Sequence, residues 1–252
     1  MLRPRIIPCL LIDGEDVIKT VNFKDGTYIG DPLNIVRLFN EKKSDEIIII
    51  DISASRLKKN PNYVLIENIA EESRMPVAYG GGIKTAEQAL RIFNSGIEKI
   101  SVSSLFFENK LEINKIVKSV GSQSLVITLD IKRFKNKYSI FTNNGDKFVT
   151  NNIVDVIKEV QDLNFGEIIL NNIDKDGTMS GYDNDLIKLI YENSLIPLTV
   201  LGGVGKREHL VESINKFGSI GYACGSYFIF KGPRKAVLIS YDNNFNLNFD
   251  KY

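Results

Sequence analysis

Eight short apolar runs, rich in β-branched residues, punctuate the chain: Ile6–Ile12, Ile47–Ile52, Val77–Tyr79, Ile97–Val102, Leu125–Ile131, Glu167–Leu170, Leu198–Leu201 and Ile220–Cys224. They are apolar at successive positions, as strands covered on both faces are. Between most of them lie stretches with helical spacing of apolar residues: Pro32–Asn40, Tyr63–Glu71, Thr85–Asn94, Ile153–Asn164 and Asp185–Asn193. Helix starts are signalled too. Asp31 is placed as an N-cap ahead of Pro32, and Thr85 and Gln88 have capping-box spacing. Eight strands alternating with helices predict an α/β fold, a closed (β/α)8 TIM barrel. A doubly wound open sheet is the alternative.

An internal repeat favours the barrel. Leu11 and Asp130 lie 119 residues apart, Asp51 and Asn171 120, Gly81-Gly82 and Gly202-Gly203 121, and Ser103-Ser104 and Gly225-Ser226 122. A duplicated and fused half-barrel explains such a slowly drifting offset. The expected domain is one barrel over 1–240, with half-barrels of about 1–122 and 123–240 and a polar, Asn-rich tail over 241–252.

With 252 residues, 43% of them hydrophobic, the chain can bury a large core. Lys plus Arg (32) nearly equals Asp plus Glu (31), so charge gives no case for nucleic acid or a membrane surface as partner. No apolar stretch is long enough to span a bilayer, and the N-terminus lacks a signal-peptide core; a cytoplasmic protein is expected. Cys9 and Cys224 sit in strand-like runs and read as buried thiols. One histidine, His209, in a charged helix start, and two distant cysteines make a metal site or a histidine-based triad a poor fit. No motif calls for a cofactor. Acid–base chemistry falls to carboxylates, Lys or Tyr.

Each Gly-Gly pair follows a strand, and each Ser-bearing pair ends the next strand. Backbone N–H groups at such turns hold phosphate oxygens, and barrels commonly place a phosphate site after their last two strands. Gly202, Gly203, Gly225 and Ser226 fit that place; Gly81, Gly82, Ser103 and Ser104 form its twofold copy. The expected ligand is a phosphorylated small molecule with an anionic group at each end. Asp130 ends a strand at the same mouth, and Asp176-Gly177 is a polar turn beside it. Lys19 is a candidate to close over an anion, although on its own it reads as a solvated loop lysine. At the opposite end Arg5, Glu46, Lys99 and Glu167 each stand near the first residue of a strand, and the parity of Arg5 with Leu11 and of Lys99 with Ser103 aims those two along the barrel axis. They form either a salt-bridge plug or a gate for a small molecule.

These residues carry a resemblance. Over its whole length the chain resembles the cyclase subunit of imidazole glycerol phosphate synthase (HisF), in RIIPCL, KTVNF, GDP, DEIIIIDISAS, GGGIKTAEQA, EKISVSS, GSQSLVITLDIKR, GEIILNNIDKDGTMSGYD and FGSIGYACGSYF. The resemblance implies a twofold barrel holding a ligand with two phosphates and two catalytic aspartates. It also implies a glutaminase partner (HisH-like) at the barrel floor, with ammonia entering through a gate that falls here on Arg5, Glu46, Lys99 and Glu167. The chain departs from the pattern where it matters most. The first catalytic aspartate falls on Leu11, which cannot transfer a proton; Asp13, on the same strand face but displaced by ~6–7 Å, is a candidate substitute. Position 103, usually Asn, is Ser.

An opening PRIIPCLL with an apolar residue at position 11 resembles a divergent branch associated with amidating N-acetyl sugars of surface polysaccharides, beside a glutaminase and an ATP-dependent amidotransferase. That resemblance implies a subunit delivering ammonia without the cyclase reaction. Two alternatives stay open: a cyclase–lyase of histidine biosynthesis with a rearranged acid–base pair, and a non-catalytic scaffold.

Overall fold

The computed structural model describes residues 3–242. The eight runs are parallel strands: β1 (Arg5–Asp13), β2 (Ile47–Asp51), β3 (Val77–Gly80), β4 (Lys99–Val102), β5 (Leu125–Phe134), β6 (Glu167–Asn172), β7 (Leu198–Leu201) and β8 (Gly221–Cys224). Each pairs with its neighbours, and β1 pairs with β8 from Arg5↔Gly221 to Pro8↔Cys224, so the eight parallel strands close on themselves. The TIM barrel expected from the sequence is the observed fold.

Outside it lie α1 (Pro32–Glu41), α2 (Tyr63–Glu72), α3 (Ala86–Asn94), α4 (Lys110–Val120), α5 (Ile153–Asp162), α6 (Asn184–Tyr191) and α7 (Arg207–Phe217). Asp31 caps α1 by accepting from the Asn34 N–H at 2.8 Å, with Pro32 at the position where a missing N–H does no harm. Thr85 caps α3, but Gln88 takes the N–H of Lys84 and not that of Thr85, a capping box displaced by one residue. The outward strand residues (Ile6, Leu10, Ile47, Ile49, Ile100, Ile127) join the helices in the main core; the inward ones (Ile7, Cys9, Ile48, Ala78, Val126, Ile169, Leu201, Ala223) form a second cluster inside the barrel. Cys9 and Cys224 are buried free thiols, as expected.

Two hairpins rise from the C-terminal mouth. Asp16–Val21 and Lys24–Gly30 extend β1; Lys137–Thr142 and Lys147–Thr150 extend β5. Their turns repeat as well, with left-handed backbone at Asn22 and Phe23 and again at Asn143 and Asn144. Each hairpin docks on the other half. Thr20 Oγ1 donates to Asp176 Oδ2 at 2.8 Å, while Asn144 Nδ2 donates to the Ile52 carbonyl at 3.2 Å.

Of the tail, Tyr241 is docked: its hydroxyl donates to the Ile6 carbonyl at 2.8 Å and its ring packs on Phe39 and Phe228. Residues 243–252 lie outside the described residues. Among the described residues, no helix is long and apolar enough to cross a membrane.

Candidate functional site at the barrel mouth

One cleft gathers much of the predicted site. It is lined by Leu11, Lys19, Asp176, Gly177, Gly202, Gly203, Gly225 and Ser226, together with Asn171 and Phe23. The twofold copy, Gly81, Gly82, Ser103 and Ser104, lies outside that cleft. Ser103 and Gly225 start matching short helices, Ser104–Glu108 and Ser226–Ile229, and neither helix start receives a side-chain cap. Ser104 Oγ instead meets Asn143 on the second hairpin, at 3.3 Å from its Oδ1.

The glycines have a packing reason of their own. Gly203 has φ +113°, and a Cβ there would lie 2.2 Å from the Gly181 carbonyl oxygen. We expect Gly203→Ala to cost about 2–4 kcal/mol. Gly218→Ala, with open space around it, meets only the backbone strain of φ +68° and ψ −133° and should cost less, about 1–3 kcal/mol. Urea unfolding midpoints compare the two; equal losses would mean that crowding at Gly203 is relieved elsewhere.

Lys19 corrects one expectation. It is a strand residue, 5% exposed, and no solvated loop lysine. Its Nζ donates to the Cys9 carbonyl at 2.5 Å, and a Cβ on Gly225 would come within 2.6 Å of it. The ammonium thus stands against the turn that begins the β8 cradle. Burial pulls the Lys19 pKa down, opposed by Cys9 and Asp176. Burial pushes the Asp176 carboxyl up, with Thr20 and Lys19 working against it.

Asp130 and Leu11 stand on β5 and β1, across the barrel from one another. Asp130 is level with Asn171 of β6, whose Nδ2 donates to its Oδ1 at 2.8 Å. Burial raises the Asp130 pKa to about 7, against the Asn171 hydrogen bond and with help from Asp176. A carboxyl titrating there is suited to give or take a proton near neutrality. Leu11 packs with Ile50 on the inner apolar cluster. Asp13 is held by Arg56 at 2.9 Å in a half-exposed ion pair; neither it nor Asp130 is among the residues that line the cleft, which Asp130 approaches through Asn171.

At the floor the four charges form a closed ring. Arg5 reaches Glu46 and Glu167 at 2.7 Å each, and Lys99 reaches the same two carboxylates at 2.6 and 2.8 Å. Above Lys99 one wall is polar: Ser101 and Thr128 share a hydroxyl contact of 2.6 Å, followed by Asp130 and Asn171. The facing wall is apolar, with Ile7, Cys9 and Leu11 of β1.

The histidine biosynthesis protein family matches residues 5–232, which span all eight strands. This chain belongs to that family. A Leptospira borgpetersenii protein, provisionally named as subunit HisF of imidazole glycerol phosphate synthase, is 51% identical over 96% of both chains. A Vibrio vulnificus protein with a similar provisional name, hisF3, is 49% identical over 96% of this chain and 94% of its own. The HisF subunit of Exiguobacterium sibiricum is 36% identical over 85% of this chain and 86% of its own.

Sequence reasoning missed Asn171 as a site residue. Asn171 was visible as the repeat partner of Asp51, and its Oδ1 is buried with no protein partner among the described residues. Asp51 itself caps the short helix Ile52–Arg56 through the Ala54 N–H at 2.8 Å.

Proposed function

We propose that this HisF-like chain receives ammonia from a HisH-like glutaminase at its floor and supports amidation of an N-acetyl sugar in surface-polysaccharide assembly, without running the cyclase reaction. The observation that carries the reading is the pairing of a complete four-charge ring with Leu11 in place of an acid across from Asp130. A cyclase needs two proton-transfer groups placed to about an ångström. Asp13, tied to Arg56, offers no second one. The polar wall from Lys99 through Ser101 and Thr128 to Asp130 gives a small polar molecule hydrogen-bonding partners between floor and mouth. Four relatives with provisional HisF names share 42–51% identity with this chain, against 34–36% for four named HisF outright, which supports a separate branch. The sugar acceptor and an ATP-dependent amidotransferase as second partner follow from the PRIIPCLL resemblance. Lys19, Asp176, Gly202, Gly203, Gly225 and Ser226 are the residues offered to an anionic ligand.

The purified chain, given the intermediate that HisF proteins cyclise and an ammonium salt, should show no turnover, while a HisH-like glutaminase binds it. Measurable cyclisation would overturn the loss of the cyclase reaction. In the assembled complex, Lys99→Met should disturb transfer from glutamine to acceptor; unaltered transfer would leave the ring as a plug and remove the conduit.

A further inference from the structure

The floor ring has a fifth member that its four charges do not account for. Thr199 of β7 is fully buried, and its Oγ1 donates to Glu167 Oε1 while accepting from Arg5 Nη2 at 3.1 Å. The same Arg5 nitrogen donates to Glu167 Oε1 at 2.7 Å, so the three groups close a triangle. Thr199 and Arg5 belong to strands that are not neighbours, since β8 runs between them. They meet because Gly221 of β8, level with Thr199 on one side and with Arg5 on the other, has no side chain. A Cβ at Gly221 would lie 1.9 Å from Thr199 Oγ1 and 3.0 Å from Arg5 Nη2. Glycine at 221 and threonine at 199 therefore work as a pair: one opens the window, the other reaches through it.

We propose that Thr199 is a positioning residue that latches the Arg5–Glu167 edge of the ring, and that Gly221 is what permits the latch. The inference rests on the conduit reading only for its purpose, which is to hold the ring shut until something acts on it from the floor. Its geometry stands without that reading. Glu167 Oε1 takes two donors on this edge, whereas each oxygen of Glu46 takes one charged donor. The ring is thus fastened more firmly on the β6–β7–β1 side. A hydroxyl buried beside a charged pair has no solvent to replace a lost partner, so deleting it leaves the guanidinium less constrained.

The test follows exchange of the Arg5 guanidinium protons by NMR, with the Glu167 carboxyl titration as second readout. Thr199→Val, close in shape, should speed Arg5 exchange by about tenfold or more and move the Glu167 pKa upward, since a hydrogen bond donated to the ionised carboxylate is lost. Thr199→Ser should restore both, and Gly221→Ala should reproduce the valine effect by pushing the hydroxyl away. Unchanged exchange in Thr199→Val would overturn the latch, as would a Gly221→Ala variant that behaves as the parent. If Thr199→Val fails to fold, the serine and alanine variants still decide by the same comparison. None of these readouts involves ammonia transfer. Their failure removes the latch alone, whereas unaltered transfer in Lys99→Met removes the conduit alone.

Discussion

Replacing Lys99 with methionine should lower stability at pH 7 by about 3 kcal/mol, the cost of removing one partner from a buried charge cluster. Lys99 is the sole lysine in the ring and neutralises one oxygen of each carboxylate, whose side chains are only 7% exposed. Burial works to raise the Glu167 pKa, yet Arg5 and Lys99 outweigh it and hold the carboxyl below its ordinary 4.5. A depressed carboxylate adds stability that is present above the unfolded-state pKa and fades as pH falls through the folded one. The gap between parent and variant should therefore be widest at neutral pH and narrow below about pH 4, where protonation relieves the uncompensated charge. Urea unfolding at pH 7 and pH 4 measures both gaps. An equal gap at the two values would mean that Lys99 contributes packing and not charge. A variant more stable than the parent would show that the ring is held at a net cost, as buried ion pairs can be.

The barrel was legible because its strands are apolar on both faces and its caps are chemically explicit. Period-two parity gave Arg5 and Lys99 an inward aim, and their strand-start positions put both at the floor, where they meet Glu46 and Glu167. The hairpins were not legible. Lys24–Gly30 reads KDGTYIG and is mostly exposed; its strand pairing comes from backbone bonds to Asp16–Val21 and not from an apolar pattern. That is why Lys19 read as a loop residue: nothing in KTVNF reports that the strand folds back over the mouth.

The site was legible where the repeat doubled a signal and opaque where it depended on contacts across strands. Gly81-Gly82 with Gly202-Gly203, and Ser103-Ser104 with Gly225-Ser226, stood out as pairs. Thr199 lies in an ordinary LTVL strand, and its role depends on an absent side chain one strand away, at Gly221. Asp13 shares the strand face of Leu11, as parity requires, but only the fold shows Arg56 within 2.9 Å of it.

Asp130→Asn should stabilise the protein above pH 7 and leave it nearly unchanged at pH 4. The Asp130 carboxyl is raised from 3.8 to about 7, mainly by burial. Between those values the folded chain holds a proton that the unfolded chain has released, so stability falls as pH rises through that window. Asparagine keeps an Oδ1 acceptor for Asn171 Nδ2 and carries no charge to bury. Its stability curve should lie above that of the parent by on the order of 2 kcal/mol at pH 8. Thermal or urea unfolding of both proteins from pH 4 to pH 8 makes the comparison. Parallel curves would mean that Asp130 ionises as an ordinary surface carboxylate, and the mouth would then keep nothing of an acid–base pair. Diverging curves would show that the chain retains, at a cost in stability, one protonatable group tuned to neutral pH. Such a cost is hard to explain in a pure scaffold and natural in a barrel whose mouth still handles a proton.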